Sequence, residues 1–356
     1  MVMPDDVSIR PKVLITGANG FVGSNLTKYL SQDTNLDVYA MVRPKAPVNF
    51  LYDFQKHPQT GENLFEIVEA NLLDEGSIEN AVKGMNMIVH LAGFVSDWGD
   101  RSRFWEFNVK GTKRILRAAS KAKVSRIIYL SSLTVHAMNG HTYADETTPR
   151  DVKNFAYGES KREGEDLVTE WATTAPSNEK RKVAIVRPGW IIYGPYDTNS
   201  YVTALDGIVT GKFGFVDKGK HLVSHVYVEN LCYGIGLLLH ASHIHGAYNI
   251  LDGNMTWKKW VHQWAKVADT KIPRLSVPYW CVVPVAAILV GIYKLFRIKT
   301  SPILNFYRIR IMHRDLAFVN TRISTEVGYE MPVPFKEGIE KTLAFYETVY
   351  GKIQKK

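Results

Sequence analysis

A glycine-rich turn between an apolar run and an amphipathic segment restricts the fold of this chain most. Val13-Leu14-Ile15 is a wholly apolar run, typical of a strand that is buried on both faces. It leads into Thr16-Gly17-Ala18-Asn19-Gly20-Phe21-Val22-Gly23, and a helical pattern follows. Glycines at this spacing permit a tight turn and close approach to a diphosphate, whose charge the helix amino terminus stabilises. A purely structural turn is the alternative, but the context favours a dinucleotide site formed by Gly17, Asn19, Gly20, Phe21, Val22 and Gly23.

The N-terminal half repeats this order of strand and helix. Strand-like runs lie at 38–42, 65–68, 88–92, 127–130 and 183–186. Segments rich in helix formers lie at 77–82, 109–122 and 160–171. This alternation predicts an α/β fold with a Rossmann-type, doubly wound parallel sheet, in which ligands bind at the carboxyl ends of the strands. We assign 1–195, with a returning segment near 225–250, to this core, and 196–224 and 251–350 to a smaller substrate-binding lobe.

The end of the second strand-like run indicates which dinucleotide the chain binds. An enzyme that prefers NAD usually carries an acid there, for the ribose 2′-hydroxyl. This chain has no acid there, and Arg43 and Lys45 would neutralise a 2′-phosphate. We therefore predict NADP, with NAD as the alternative. Asn71 and Leu72 follow the third run, where a contact with adenine is expected; a turn is the alternative.

Tyr157 and Lys161 form the predicted catalytic pair. They are four residues apart and share one face of a predicted helix. A free tyrosine has a pKa near 10, and a neighbouring ammonium is expected to lower that pKa by about one to three. Ser132, which follows the strand 127–130, would position a substrate oxygen, and Asn108 would support the lysine. Such a set supports proton exchange with an alcohol or ketone while a nicotinamide exchanges hydride.

These motifs resemble the extended short-chain dehydrogenase/reductase family, and the similarity runs from about Lys12 to Tyr346. The matching segments are Thr16–Gly23, His90-Leu91-Ala92-Gly93, Asn108-Val-x-Gly-Thr, Ser132, Tyr157, Lys161 and Arg187–Pro195. The resemblance implies further cofactor contacts at Leu91, Ala92, Gly93, Pro188 and Ile191. It also implies a substrate side formed by Val95, Ser132, Thr134 and Trp190. Trp98 follows the fourth strand-like run, where we expect it to face the substrate; ordinary core packing is the alternative.

Within that family the chain is most similar to the 3β-hydroxysteroid dehydrogenase, sterol-4α-carboxylate dehydrogenase and dihydroflavonol reductase branch. Arg187 stands where nucleotide-sugar enzymes typically carry an Asn, and 225–230 resembles a segment of the steroid members. This similarity implies reversible oxidation of a secondary alcohol on an apolar, sterol-like or lipid-like substrate. A nucleotide-sugar epimerase or dehydratase that retains NAD is the first alternative, and a non-catalytic redox sensor or scaffold is the second.

Charge and cysteine content limit the partners and the compartment. The formal net charge is +9, but the basic residues are spread along the chain without a nucleic-acid-binding motif, so we expect no nucleic acid. Cys232 and Cys281 have neither metal-ligand nor disulfide spacing, which predicts a reducing compartment and no metal. Because the start of the chain lacks the apolar run of a signal peptide, we expect a cytoplasmic protein. The sequence leaves a homodimer open.

The uncharged segment 275–293 is unusual for a substrate lobe. Its nineteen residues approach the length of a membrane span, although Pro278 and Pro284 interrupt it. A buried or pocket-lining helix is the second interpretation. The third, which we favour slightly, is a segment that rests in one membrane leaflet and makes membrane-surface contact through 275–299 with its basic flanks.

Overall fold

The computed structural model describes residues 10–198 and 202–353, and its strands and helices are numbered in chain order. The strands are β1 (Lys12–Thr16), β2 (Asp37–Val42), β3 (Glu66–Glu69), β4 (Met87–His90), β5 (Arg126–Leu130), β6 (His141–Ala144), β7 (Lys182–Pro188), β8 (Ile191–Tyr193), β9 (Phe215–Val216), β10 (Leu222–Tyr227), β11 (Ala247–Ile250), β12 (Gly253–Thr256), β13 (Ser276–Val277) and β14 (Leu316–Phe318). The helices are α1 (Phe21–Leu30), α2 (Asn49–Tyr52), α3 (Glu75–Val82), α4 (Arg101–Phe104), α5 (Gly111–Lys121), α6 (Ala156–Thr173), α7 (Val202–Val209), α8 (Val228–His240), α9 (Trp257–Val267), α10 (Tyr279–Leu295), α11 (Phe306–His313), α12 (Thr321–Val327) and α13 (Phe335–Tyr350).

Seven parallel strands form the larger sheet, in the order β11-β7-β5-β4-β1-β2-β3. The chain winds from β1 through β2 to β3, then returns to β4 and continues in the opposite direction. The direction of winding therefore changes between β1 and β4, which is where ligands bind in such sheets. The predicted Rossmann-type, doubly wound fold is confirmed.

Both faces of this sheet are buried. Val13 and Ile15 of β1 belong to one apolar cluster with Leu26 of α1 and Leu231 of α8. Leu14 points the other way, into a second cluster formed mainly with residues of α3, α5 and α6. Because strand side chains alternate between faces, a run that is apolar throughout is what a strand covered by helices on both sides requires.

A five-stranded sheet, the separate strand pair β9 and β13, and the later helices form most of the rest of the described chain. β10 is central to this sheet and pairs with β8, β12 and β14, and β6 pairs with β14. Within the returning segment, β11 joins the larger sheet beside β7, and α8 packs against α1. Helices α10 and α11 pack on each other through Val282, Ala286 and Ile309.

The predicted strands and helices of the N-terminal half all occur, with boundaries shifted by a few residues. The predicted helix over 160–171 begins earlier, at Ala156, so that Tyr157 lies in its first turn. The predicted helix over 109–122 is preceded by one turn of π-helix at Trp105–Lys110. The polar start used to predict the lack of a signal peptide falls mostly on 1–9, outside the described residues. Among the described residues, no helix combines the length and apolarity needed to cross a bilayer.

Candidate active site

The glycine turn joins β1 to α1 at the edge of the sheet where the winding changes direction. Gly17 has a φ of +71°, and a Cβ there would lie 2.9 Å from Ala92 Cα. A Cβ on Gly23 would lie 2.1 Å from the Gly17 oxygen. Helix α1 begins after Gly20 with no capping side chain and no acid in its first turn, so its terminal amides face no competing negative charge. The turn therefore fits a dinucleotide diphosphate, as predicted for Gly17–Gly23.

The segment after β2 is held beside this turn. Asn19 Nδ2 donates to the Pro47 carbonyl oxygen at 3.0 Å, which ties the glycine turn to the loop that carries Arg43 and Lys45. Both basic side chains are exposed, and neither forms a salt bridge within the described part of the chain. Two cations therefore stand near the phosphate-binding turn with no carboxylate to neutralise them.

The region after β3 does not show Asn71 as a cofactor ligand. Its Oδ1 accepts a hydrogen bond from the Leu73 amide at 3.1 Å, which is the pattern of a turn. Leu72 is buried and packs against Gly111 at the start of α5, where a Cβ would lie 3.2 Å from Leu72 Cδ1. In this structure Asn71 and Leu72 shape the loop, and their contact with a cofactor stays a prediction.

Tyr157, Lys161 and Ser132 meet where β5 ends beside α6. Lys161 Nζ donates to the Leu130 carbonyl oxygen at 2.8 Å, and the Ser132 hydroxyl is near enough to Tyr157 to act on the pKa of its phenol. Ser132 Oγ accepts from the Thr134 amide and hydroxyl at 3.2 and 2.9 Å, so its own proton is free to point towards Tyr157 or a substrate oxygen. The three residues predicted from separate motifs therefore form one cluster.

A glycine allows this close approach of α6 to the turn after β5. A Cβ on Gly158 would lie 2.3 Å from the Thr134 carbonyl oxygen, closer than two such atoms can come. Any larger residue at this position would push the first turn of α6, and with it Tyr157, away from Ser132.

The expected effect of Lys161 on Tyr157 is wrong for this structure. Burial raises the pKa of Tyr157 to about 12, and only the nearby Ser132 hydroxyl acts against this rise. Burial also lowers the pKa of Lys161 to about 8, which Glu165 partly offsets by its negative charge. Desolvation disfavours the charged form of both groups here, and Lys161 does not contribute to the shift of the Tyr157 pKa. Tyr157 is therefore a neutral phenol at neutral pH and is ready to donate a proton.

Asn108 lies in the π-helical turn Trp105–Lys110, a wide turn of a kind often found at functional sites. Its Oδ1 accepts from the Phe94 amide at 2.6 Å, and its Nδ2 donates to the Phe94 carbonyl and to Ser160 Oγ at 3.0 and 2.9 Å. Ser160 Oγ in turn donates to the Tyr157 carbonyl oxygen at 2.7 Å. Asn108 thus fixes the start of α6 rather than contacting Lys161, and it connects that helix to the loop after β4.

A buried chain of hydrogen bonds, absent from the sequence predictions, holds Asn108 from the other side. Thr16 Oγ1 accepts from the Leu91 and Ala92 amides, so it donates its proton to His90 Nδ1 at 2.8 Å. His90 then carries its proton on Nε2 and donates to Thr112 Oγ1 at 3.0 Å, which donates to the Asn108 carbonyl. Burial lowers the pKa of His90 to about 3, so the ring stays neutral. Leu91, Ala92 and Gly93 are thereby held against the glycine turn.

Glu165 lies on α6 four residues after Lys161, just as Lys161 lies four residues after Tyr157. Its carboxylate accepts from Arg187 Nε and Nη2 at 2.8 and 2.7 Å, from Ser131 Oγ at 2.6 Å and from Arg150 Nη1 at 3.1 Å. Although burial raises the pKa of Glu165, the hydrogen bonds and charge of Arg187 lower it. Arg187, which stands where nucleotide-sugar enzymes typically carry an Asn, is therefore committed to a buried ion pair that joins β7 to α6.

The predicted substrate residues do not all face the same space. Thr134 supports Ser132, and Trp190 follows β7 with its amide donating to Ser224 Oγ at 3.1 Å. Val95 is exposed, in the loop after β4. Trp98 instead donates from Nε1 to the Ile298 carbonyl oxygen at 3.1 Å, just beyond the end of α10. Pro188 and Ile191 flank Trp190 at the ends of β7 and β8.

Helix α11 contributes an aromatic residue that no motif in the sequence singled out. The Tyr307 ring stacks on Phe155 at 4.7 Å, and the Tyr157 ring lies 6.0 Å from Phe155 and 6.3 Å from Phe104. Burial raises the pKa of Tyr307, and the proximity of Tyr157 adds to the rise. The Tyr157 ring therefore lies among other aromatic rings.

Asp217, His221 and His313 come together although the sequence predicted no metal cluster. Their potential ligand atoms lie within 4.8 Å of one another. His313 Nδ1 is hydrogen-bonded to Asp217 Oδ2, and His221 Nδ1 lies 3.3 Å from Asp315 Oδ1. These two imidazole–carboxylate contacts account for the cluster without an ion. The sequence could not show this juxtaposition, because β10 brings together residues about ninety positions apart.

Comparisons with known proteins are consistent with this arrangement. The model of the NAD dependent epimerase/dehydratase family matches residues 13–250. The chain is 27% identical to N-acetyl-alpha-D-glucosaminyl-diphospho-ditrans,octacis-undecaprenol 4-epimerase of Escherichia coli O157:H7, over 97% of each protein. It is 24% identical to 3beta-hydroxysteroid-dehydrogenase/decarboxylase isoform 1 of Arabidopsis thaliana, over 96% of this chain and 81% of that protein.

A solved structure has the same fold. The UDP-glucuronic acid 4-epimerase from Bacillus cereus, in complex with NAD, superposes with a TM-score of 0.73 at 17% identity, over 95% of this chain and 99% of that one. The similarity extends through both the larger sheet and the C-terminal part.

Proposed function

The chain belongs to the NAD-dependent epimerase/dehydratase family, whose members include NAD(P)-dependent enzymes that act on CH–OH groups, and we propose a reaction of this class for it. In this proposal the protein is an NADP(H)-dependent oxidoreductase that interconverts a secondary alcohol and a ketone on an apolar, sterol-like or lipid-like substrate. The observation that carries the proposal is the cluster of a neutral Tyr157 phenol, the nearby Ser132 hydroxyl and a buried Lys161.

The residues divide the proton chemistry among themselves. In reduction, Tyr157 donates its hydroxyl proton to the substrate oxygen, and Ser132 holds that oxygen with a hydrogen bond. Lys161, held by the Leu130 carbonyl, lies in the same site, where it would hold the nicotinamide ribose. Asn108 keeps the first turn of α6, and therefore Tyr157, in place. When bound, the nicotinamide supplies or accepts the hydride.

The preference for NADP is supported by the two cations beside the glycine turn. Arg43 and Lys45 are exposed and unneutralised, and Asn19 fixes their loop to the turn through Pro47. A 2′-phosphate is a dianion that an arginine can bind through two parallel hydrogen bonds. The family and its solved relatives are consistent with NAD as well, so the choice between the cofactors depends on these two residues.

The apolar substrate is supported by the aromatic residues near the Tyr157 ring. Phe104 and Phe155 lie 6.3 and 6.0 Å from that ring, and Tyr307 stacks on Phe155. Arg187 is buried in its pair with Glu165 and cannot also bind a diphosphate. Aromatic walls with few polar groups are typical of sites for apolar ligands.

A second candidate is supported by the Escherichia coli relative, which the chain covers over 97% of its length. The name of that relative describes a 4-epimerase of a sugar attached through a diphosphate to undecaprenol. By analogy, this chain would oxidise and re-reduce a sugar hydroxyl on a lipid carrier, with Tyr157 in the same role. Such an enzyme would retain its cofactor and would show no net consumption of added NADPH.

The test is an NADPH-oxidation screen against sterol, lipid and flavonoid ketones with purified protein. We expect steady oxidation with at least one apolar ketone, and Tyr157→Phe to lower turnover by about 10²- to 10⁴-fold without loss of NADPH binding. Tyr143→Phe, at an exposed tyrosine outside the site, is the matched control. Full turnover by Tyr157→Phe, or no nicotinamide binding by the native protein, would refute the proposal.

A further inference from the structure

Helix α10 has an apolar face that no part of the described chain covers. Its inner face packs through Val282, Ala286 and Val290, which are all buried. The side chains of the opposite face are exposed, including Trp280 at 75% and Leu295 at 77% of their surface. We define the outer face as Trp280, Val285, Ile288, Ile292, Leu295 and the adjoining Phe296, Ile303 and Phe306. A helix that is apolar on both sides needs a second apolar environment on its exposed side.

The excess positive charge of the chain is concentrated around this face. Basic residues occur throughout, yet residues 270–314 contain eight Lys and Arg and no Asp or Glu, whereas the rest of the chain contains 36 basic and 35 acidic residues. Arg308 pairs with Asp97. The other seven are exposed and form no salt bridge with a described residue: Lys271, Arg274, Lys294, Arg297, Lys299, Arg310 and Arg314. Two of them precede α10, three lie at its end, and Arg310 and Arg314 lie on and just after α11, which packs against α10.

The same structural unit reaches the substrate side of Tyr157. Phe306 at the start of α11 belongs to the outer face, while its neighbour Tyr307 stacks on Phe155 beside Tyr157. Asn305 and Arg308 both donate to Asp97 in the loop after β4, at 2.9 and 2.6 Å. The outer face and the substrate side are therefore the two sides of one rigidly attached element.

We propose that the outer face docks onto the surface of an anionic lipid bilayer, with α10 lying in the interface rather than crossing it. The apolar side chains enter the boundary between headgroups and acyl chains, and the surrounding lysines and arginines bind acidic headgroups. Docking of this kind places the space beside Tyr157 next to the bilayer. A lipid substrate then reaches Tyr157 past α11 without leaving the membrane, a step that rests on the proposed function.

A bilayer explains the charges better than a second copy of the chain does. In a twofold dimer through this face, the same seven cations of each copy would be brought towards one another across the interface, which is unfavourable. An acidic membrane provides the opposite charge at the border and an apolar interior at the centre.

The experiment is flotation of the full chain with vesicles of phosphatidylcholine alone or with 30% phosphatidylglycerol. We expect binding to the anionic vesicles that weakens as salt is added. Replacing Trp280, Ile288 and Leu295 together with serine should lower binding by about 100-fold or more. The reason is that each of the three native residues buries a large apolar side chain in the membrane. The matched control replaces three exposed apolar residues elsewhere with serine, at Tyr52, Tyr143 and Val349, and should bind as the native chain does.

A charge series tests the border separately. Replacing Lys294, Arg297 and Lys299 together with glutamine should lower binding to anionic vesicles by about 100-fold, because each lost charge weakens binding by about fivefold. The same variant should bind neutral vesicles much as the native chain does. Glutamine at the exposed Lys83 and Lys180, outside the border, should leave binding unchanged. All variants are expected to bind NADPH like the native protein, which shows that they are folded.

The outcomes separate this inference from the proposed function. A native chain that binds NADPH but does not float with either vesicle overturns the membrane inference and leaves the reaction intact. A native dimer that the serine variant converts to a monomer, without vesicle binding, assigns the face to a second copy and also overturns it. A chain that floats but has no turnover refutes the reaction and leaves the membrane surface standing.

Discussion

Replacing Arg187 with Met tests whether this arginine is structural. If its role is to neutralise the buried Glu165, it is not available to bind the diphosphate of a nucleotide-sugar substrate. The change leaves the Glu165 carboxylate buried, with Ser131 and Arg150 as its remaining partners. Glu165 and Arg187 expose only 1% and 3% of their side chains, so the loss is that of a buried pair, about 3–5 kcal/mol. For a chain of 356 residues, whose entropy of unfolding is about 0.75 kcal/mol/K, Tm should fall by about 4–7 °C.

The assay is thermal unfolding of the native chain, Arg187→Met and the double variant Glu165→Leu/Arg187→Met. The double variant should recover part of the loss, because no uncompensated carboxylate then remains buried. Substrate affinity of the folded single variant should change much less than its stability. An unchanged Tm together with a strongly raised KM would show that the ion pair is not structural and that Arg187 binds the substrate.

The remaining predictions concern the cofactor and the lysine. Arg43→Ser should weaken NADPH binding by about 10- to 100-fold with little effect on NADH, whereas Lys83→Ser should change neither; equal losses for both cofactors would count against a 2′-phosphate contact. The pKa of Lys161 is about 8 in the folded chain and about 10.5 when exposed, so between these values the unfolded chain binds more protons. The destabilising effect of the buried ammonium is therefore complete below pH 8 and fades as pH rises to 10.5. Denaturant titrations should show a gain in unfolding free energy over this range that Lys161→Gln lacks, and parallel profiles would contradict it.

Local patterns predicted the fold, and they selected three side chains that the structure brings together, because both depend on short stretches of sequence. The apolar run before Gly17 and the four-residue spacing of Tyr157 and Lys161 each specify one strand or one helix face. Ser132 was selected because it follows the buried strand 127–130, and the carboxyl end of a parallel strand lies at the ligand edge. Predictions of this kind need only the periodicity of one element and the direction of the next.

Properties set by packing between distant elements were not predictable in the same way. The direction in which the pKa of Tyr157 shifts depends on burial by surrounding elements rather than on the spacing between Tyr157 and Lys161. Tyr307 lies 150 positions from Tyr157, and no local pattern marks it. Glu165 could have been selected, because it continues the four-residue spacing on α6, but its partner Arg187 comes from β7.

The segment 275–293 shows where one pattern allows several structures. Its apolar length was compatible with a span, a buried helix and an interfacial helix. In the structure most of this segment is helix α10, which has one buried and one exposed face. The exposure of its side chains is what distinguishes a fully buried helix from an interfacial one. Because the outer face and inner face are equally apolar, periodicity alone could not show which residues point outward.

The most direct test of the proposed reaction follows the hydride itself. Purified protein is incubated with NADPH carrying deuterium at the transferable C4 position and with an apolar ketone identified in the screen, and the product is analysed by mass spectrometry. We expect one deuterium on the new carbinol carbon for each NADPH oxidised, with no product from Tyr157→Phe. Product without deuterium, or isomerisation of the substrate without net oxidation of NADPH, would contradict the proposed hydride transfer.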